Sequence, residues 1–482
     1  MKNYFYLLLS VITFFGCQRE HATVKPNIIL ILADDLGYND LSSYRKLNQT
    51  ISDKPPTTQT PHLDRLAARG LQFTNFYAGA AVCSPSRAAL LTGRNATRVG
   101  IYNWIPNNSP MHLRDQEVTI AEMLKQDNYR TGHFGKWHLT SEGTDQPLPN
   151  DQGFDYSFYT YNNAQPSHYN PVNFFRNGDA VGELEGYACQ LVVDEALKWL
   201  DNTKNESEPF YINIWFNEPH EKIAAPPKLV DRHYYRSDYY GAIENLDSAV
   251  GRVQKYLIDN DLDQNTMVIF TSDNGSQVAA SNDPFRGEKC FNFEGGVRAP
   301  FIISWPGKTP QGAISDVTGS FTDVLPTIAS LTDSNLPDNQ LDGVDLSEIL
   351  LGEEKALDRE SPVFFYRYFH DPVSMLRQDE WVLLGFEAPM SYQKNYNPVQ
   401  QAKLKPEPEA PQWSMWGFQP LHMAYIENQE IYHFELYNIV EDPEQKNEIA
   451  SRYPDKVMEM KEKMLELKAE MVKEGGDWFK YD

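Results

Sequence analysis

Long unbroken apolar runs recur at wide intervals along the chain, and each ends abruptly in polar residues that carry chemistry. Asn27-Ile28-Ile29-Leu30-Ile31-Leu32-Ala33 is continuous and rich in β-branched side chains, the pattern of a central strand covered on both faces. Runs at Pro209–Phe216, Thr266–Ser272 and Pro300–Trp305, with a shorter one at Tyr129–Phe134, predict further strands. Between them the spacing becomes helical. Leu63, Leu66 and Ala67 share a face in Pro61–Gly70, which opens on Pro and closes on Gly. Ala242, Leu246, Ala249, Val250, Val253 and Leu257 form a stripe through Tyr239–Ile258. Ala88 to Leu91 reads as the early turns of a helix that starts near Cys83. Helices interleaved with buried strands predict an α/β protein with a large mixed, mostly parallel sheet flanked by helices.

From about residue 360 the pattern shortens. Val363–Tyr366, Trp381–Phe386 and Ile431–Asn438 predict a smaller sheet, and Arg452–Lys473 a helix of mixed charge. The chain therefore divides into a main domain over 25–360 and a C-terminal α+β subdomain over 361–482. Residues 388–425, rich in Pro, Lys and Trp, read either as a packed surface loop or as an entrance lined by Trp413, Trp416 or His422. Arg98–Pro110, with Trp104, reads as a loop at a cleft mouth. At the other end, the apolar stretch within residues 1–16 is too short to span a bilayer and reads as an export signal. Phe14-Phe15-Gly16-Cys17 resembles a bacterial lipoprotein processing site, with Cys17 as a lipidated first residue. The expected location is outside the cytoplasm, in the periplasm or on the bacterial surface, with membrane contact only through that anchor. Cys189 and Cys290 are then left to pair in an oxidising compartment.

The net charge of −24 argues against a nucleic-acid partner, since phosphate binding needs basic surface. A polyanionic ligand remains compatible if a few cations focus in one cleft inside an acidic shell, and high salt would screen the shell's repulsion.

The strand ends supply the candidate chemistry. Asp34-Asp35 follows the first run and Asp273-Asn274 the fourth, an all-oxygen set suited to calcium or magnesium beyond the carboxyl ends of an open sheet. Each pair by itself is also an ordinary cap or turn. Lys136 and His138 stand two apart, so on an extended segment their side chains point the same way, a cation beside a titratable ring. Cys83 lies where helix N–H groups and the dipole favour an anion.

Cys83-Ser84-Pro85-Ser86-Arg87, completed by Leu91-Thr92-Gly93-Arg94, resembles the signature of the type I sulfatases. Gly135-Lys136-Trp137-His138-Leu139 is similar to the second motif of that family. Pro219-His220 after a strand, Lys289 ahead of Glu294-Gly295-Gly296-Val297-Arg298, and Leu436-Tyr437-Asn438 with Asp442-Pro443 and Asn447 resemble further segments. The resemblance implies an alkaline phosphatase-like fold and oxidation of Cys83 to Cα-formylglycine (3-oxoalanine) by a formylglycine-generating enzyme. It further implies that the hydrated aldehyde attacks sulfur and ligates a divalent cation together with Asp34, Asp35, Asp273 and Asn274. By the same resemblance Arg87 supports the hydrate, Lys136 and Lys289 hold sulfate oxygens, His138 orients or deprotonates the diol, and His220 is the general acid. The expected substrate is a sulfated oligo- or polysaccharide, with algal polymers such as ulvan, carrageenan or fucoidan ahead of animal glycosaminoglycans. Two other readings stand on the same residues: a phosphodiester or phosphonate hydrolase of that superfamily, and a non-catalytic glycan-binding surface lipoprotein.

Overall fold

The computed structural model describes residues 25–47, 58–203, 206–387 and 418–480; residues 1–16, Cys17, Trp413 and Trp416 lie outside them. In chain order the strands are β1 (Asn27–Ala33), β2 (Leu71–Phe73), β3 (Phe76–Tyr77), β4 (Arg130–Lys136), β5 (Tyr156–Thr160), β6 (Phe174–Arg176), β7 (Asp179–Gly182) and β8 (Phe210–Trp215). They continue with β9 (Thr266–Ser272), β10 (Phe301–Ser304), β11 (Ala313–Ser315), β12 (Gly319–Ser320), β13 (Val363–Tyr366), β14 (Ser374–Gln378), β15 (Trp381–Phe386) and β16 (His433–Asn438). The helices that matter below are α1 (Pro61–Ala68), α2 (Cys83–Thr92), α3 (Ala188–Thr203), α4 (Ser237–Asp259), α5 (Pro420–Asn428) and α6 (Pro454–Gly475).

Ten strands form the main sheet in the order β11-β2-β10-β9-β1-β8-β4-β5-β6-β7. The central run from β9 to β5 is parallel, and β10, β6 and β7 pair antiparallel at the flanks. Side chains of β1 alternate between two cores. Ile28, Leu30 and Leu32 pack on the side of Ala88, Leu90 and Leu91 from α2, whereas Ile29 and Ile31 pack with Leu63 and Leu66 of α1, Val192 of α3 and Leu246 and Val250 of α4. Both faces are apolar, so the strand shows no period of two in sequence.

Close backbone approach is required in β4. Gly135 has φ +108°, and a Cβ there would lie 1.8 Å from the carbonyl oxygen of Trp215 on β8. The neighbouring residue is Lys136, so this tight pairing fixes where the lysine leaves the sheet.

The smaller sheet is antiparallel in the order β13-β14-β15-β16. β14 was not legible in the sequence, because Ser374-Met375-Leu376-Arg377-Gln378 has only two apolar residues and polar ends. It is buried because it is paired on both edges. Helix α6 is tied to the segment after α2: Arg98 contacts Glu470 at 2.8 Å, and Arg94 and Arg98 both meet Glu474. His422 does not line an entrance. It is buried in the first turn of α5, where Nδ1 accepts from the Gln419 N–H at 2.9 Å. Nor do Cys189 and Cys290 pair, since both are free. Cys189 is buried on α3 and accepts from Asn245 Nδ2 at 3.2 Å, while Cys290 sits in the loop after Lys289. Among the described residues no helix is long and apolar enough to cross a membrane.

Gly135→Ala is expected to destabilise the protein by about 3 kcal/mol or more, because methyl and carbonyl cannot share that space. Gly143 has φ +77° with nothing within 4 Å of a built Cβ. Gly143→Ala should therefore cost only the left-handed backbone term, about 1–2 kcal/mol. Thermal unfolding of the two variants separates steric from conformational cost; equal midpoints would contradict the close β4–β8 contact.

Candidate active site

Parallel pairing of β1 with β9 brings their carboxyl ends together. The Asp273 N–H donates to the Ala33 carbonyl at 3.1 Å, and the Asp35 N–H donates back to Asp273 Oδ1 at 3.1 Å. Asp35 takes φ +64°, a left-handed conformation that Asp tolerates better than most residues. The turn lets Asn274 Nδ2 donate to Asp35 Oδ1 at 2.7 Å. Asp34, Asp35 and Asp273 are thereby packed into one buried cluster.

Such a cluster is tolerated only with compensating cations. Arg87 lies one turn along α2 from Cys83 and is fully buried; its Nη2 and Nε donate to Asp273 Oδ2 at 2.8 and 3.1 Å. Its Nη1 donates to the Lys136 carbonyl at 2.7 Å, and the guanidinium lies 5.3 Å over the Trp215 ring. Lys136 Nζ bonds Asp34 Oδ2 at 2.6 Å and Lys289 Nζ bonds Asp35 Oδ2 at 2.7 Å. Burial pulls the Asp34 carboxyl upward, but Lys136, His220, Arg87 and Lys289 together hold it well below the usual carboxylate range. Burial, opposed by the two lysines, pushes the Cys83 thiol up.

Two imidazoles border the cluster. His220 Nε2 lies 3.4 Å from Asp35 Oδ2, and burial followed by the Lys289 charge lowers its pKa to about 4. It is therefore neutral at neutral pH. Its Nδ1 faces Asn163 Nδ2 at 3.0 Å, so Nδ1 accepts and the ring proton sits on Nε2. His138 is held well below the usual range by burial and by Lys136 and Arg87. Its Nε2 donates to the Ile105 carbonyl at 3.1 Å, which leaves the buried Nδ1 as an acceptor without a hydrogen-bond partner. The extended segment expected through Lys136 and His138 stops short, although the Lys136 charge still acts on the His138 ring. The strand ends at Lys136, and His138 has φ +56°, so the two side chains leave different kinds of backbone.

The donor set fits a hard cation. Asp34 Oδ1 and Asn274 Oδ1 are buried without hydrogen-bond partners, and ligand atoms of Asp34, Asp35 and His220 lie within 4.8 Å of one another. Oxygen predominates, as calcium and magnesium require. Both oxygens of Asp273 are engaged, one by Arg87 and one by the Asp35 N–H, and so are both of Asp35, by Asn274 and Lys289; of the three carboxylates Asp34 alone keeps one oxygen open.

Of the sequence-derived candidates, Asp34, Asp35, Asp273, Asn274, Arg87, Lys136, Lys289 and His220 are joined by direct contacts. Cys83 stands one helical turn before Arg87, within electrostatic reach of both lysines. Sequence reasoning missed Asn163, whose Oδ1 accepts from Lys136 Nζ at 2.8 Å while Nδ2 meets His220. Its only signal, Asn162-Asn163 after a strand, is that of any turn.

A family model described as Sulfatase matches residues 26–334, a span that contains every one of these side chains. The chain belongs to the sulfatase family. It is 33% identical over 394 residues to the N-acetylgalactosamine-6-sulfatase of Canis lupus familiaris, covering 75% of this chain and 72% of that one. It is 35% identical over 376 residues to arylsulfatase A of Homo sapiens, covering 72% of each. Among solved structures, Ps i-CgsB in complex with k-i-k-neocarrahexaose superposes with a TM-score of 0.75 at 25% identity, over 92% of this chain and 93% of that one. The protein is accordingly a sulfuric ester hydrolase.

In this sulfatase Asn163 orients both Lys136 and His220. Asn163→Ala is expected to lower kcat on an aryl sulfate about 10–100-fold, the usual effect of losing an outer-shell partner, with little change in the thermal midpoint. Initial rates and unfolding curves check this; an unchanged kcat would show that neither side chain depends on Asn163.

Proposed function

We propose that the protein hydrolyses sulfate esters of a sulfated carbohydrate, in the breakdown of an algal polysaccharide such as ulvan or carrageenan. The observation that carries this reading is the convergence of Arg87, Lys136 and Lys289 beside Cys83 at the start of α2. Three cations and a helix N-terminus make a site for a compact anionic group such as a sulfuryl ester. The saccharide part draws support from similarity to a protein solved with k-i-k-neocarrahexaose and to enzymes named for N-acetylgalactosamine 6-sulfate. An export signal over residues 1–16, with Cys17 as a possible lipid attachment point, would place the enzyme where such polymers are met.

Cys83 as a thiol is a poor nucleophile here, because burial keeps it protonated. That favours conversion by a maturating enzyme to formylglycine, with Asp34, Asp35, Asp273, Asn274 and the converted Cys83 holding calcium, or magnesium in its place. Once present, the cation would draw charge from the sulfuryl oxygens, and the hydrated aldehyde would bring the attacking oxygen and an exit route for sulfate. The chain's own groups do the rest. Arg87 fixes the first turn of α2 against Asp273. Lys136 and Lys289 hold sulfate oxygens through Nζ, a preorganised stabilisation of the charge that develops at the transition state. His138 offers Nδ1 as acceptor for a hydroxyl proton on the residue at position 83. His220 turns Nε2 to the edge of the cluster; as general acid it first becomes imidazolium, a form that a bound substrate anion favours, and it returns to the neutral ring as the departing sugar oxygen takes the proton.

Four measurements test this together. The tryptic peptide containing Cys83, from protein made with a formylglycine-generating system, should show the mass of the aldehyde or its hydrate. Matched sulfate and phosphate esters should be turned over with kcat/KM favouring sulfate, and chelation should abolish turnover until calcium is restored. Lys289→Ala should reduce kcat by about 10²–10³-fold, the size of a lost charge-stabilising donor. A preference for the phosphate ester would transfer the site to phosphoryl chemistry. An unmodified thiol in active enzyme would overturn the role of Cys83.

A further inference from the structure

The segment between His220 and Tyr239 leaves the site and returns to it. At one end His220 Nε2 lies 3.4 Å from Asp35 Oδ2; at the other the Tyr239 hydroxyl lies 3.2 Å from the Asp35 carbonyl oxygen and 2.7 Å from Ser276 Oγ. A loop pinned at both ends to one cleft residue borders that cleft. Its crest is Tyr234-Tyr235-Arg236. Tyr234 is fully exposed at 109% and Tyr235 is 64% exposed, two adjacent aromatic rings open to solvent. Beneath them His233 is buried, with Nε2 3.3 Å from Glu244 Oε1, so the two rings stand on a fixed base.

The charge of this rim is opposite to that of the molecule. Over residues 221–236 the chain carries Lys222, Lys228, Arg232 and Arg236 against Glu221 and Asp231, within a protein of net charge −24. Arg232 is held by Glu244 at 2.8 Å. Arg236 lies against Tyr235, with Nε 3.4 Å from the hydroxyl and the guanidinium 5.7 Å from the ring centroid. It is also within electrostatic reach of Glu288, the neighbour of Lys289. Lys222 and Arg236, at the two ends of the excursion, have φ +43° and +49°, conformations that side-chain-bearing residues hold at a cost and that gather at binding sites.

We propose that Tyr234, Tyr235 and Arg236 form a subsite for the sugar unit next to the one that bears the scissile sulfate. The tyrosine rings meet the C–H face of that sugar, and Arg236 meets a second sulfate or carboxylate on it, a pairing suited to a guanidinium fork. The inference rests on the saccharide reading above and extends it: the enzyme recognises at least two consecutive units of an anionic glycan. Aromatic exposure by itself would suit a protein partner equally. Attachment of the loop to Asp35 at both ends, and its local positive balance, select the substrate.

The test compares 4-nitrocatechol sulfate, which has no second sugar, with hexasaccharides from carrageenan, ulvan and fucoidan, using the one that wild-type enzyme turns over best. The variants are Tyr234→Ala/Tyr235→Ala and Arg236→Asn, the latter chosen because Asn accepts the left-handed conformation. The ratio of kcat/KM for hexasaccharide over aryl sulfate should fall at least fivefold in each, mainly through KM. In a Cys83→Ser background, hexasaccharide affinity measured by calorimetry should fall by the same factor. A smaller change in the ratio, or equal losses on both substrates, overturns the subsite while leaving the saccharide sulfatase reading intact. Wild-type enzyme that cleaves the aryl sulfate and none of the hexasaccharides overturns both.

Discussion

Three carboxylates buried at the ends of two adjacent strands are the constraint on which the rest of this structure depends. Asp34, Asp35 and Asp273 are almost wholly removed from water, and each meets a cation from a different segment: Lys136 from the end of β4, Lys289 from the loop after residue 286, and Arg87 from α2. An unpaired buried charge costs several kcal/mol, so these attachments stabilise the arrangement that holds the carboxylates. They hold β1, β4, β9, α2 and the 286–298 loop in one register. The same contacts that satisfy the fold therefore assemble the site.

Charge within the cluster alternates instead of accumulating. Arg87, Lys136 and Lys289 balance Asp34, Asp35 and Asp273, and His220 and His138 are kept neutral by burial and by the neighbouring cations. A site balanced this way would take a divalent cation on its oxygen side and a sulfate ester on its nitrogen side, the two charges offsetting each other. Neutral histidines fit the arrangement, since each then presents one donor and one acceptor in a fixed sense: His138 donates to Ile105, and His220 accepts from Asn163.

What the sequence made legible follows from how a parallel sheet is buried. Strands covered on both faces must be apolar throughout, so β1, β8 and β9 stand out, and the polar residues that follow them fall at the sheet's carboxyl edge. Motif spacing did the same for Cys83, Arg87, Lys136 and Lys289. The failures share a different cause. Asn163 acts through its amide alone, β14 is held by its neighbours on both edges, and the left-handed turn at His138 depends on what surrounds it. The free state of Cys189 and Cys290 is likewise a matter of tertiary position. Short-range pattern carries no record of such contacts.

The acidic surface and the cationic site are reconciled by distance. At physiological ionic strength screening acts over about 8 Å, so scattered surface carboxylates fade across a single saccharide unit. Cations that meet their partners at 2.6–2.8 Å inside a water-poor cleft are screened far less. The net charge of −24 therefore acts on the approach of a polyanion more than on its bound state. A molecule with that surface needs one approach at which repulsion is locally reversed. The segment 221–236 supplies it, with four cations against Glu221 and Asp231, beside the cleft that His220 and Tyr239 border.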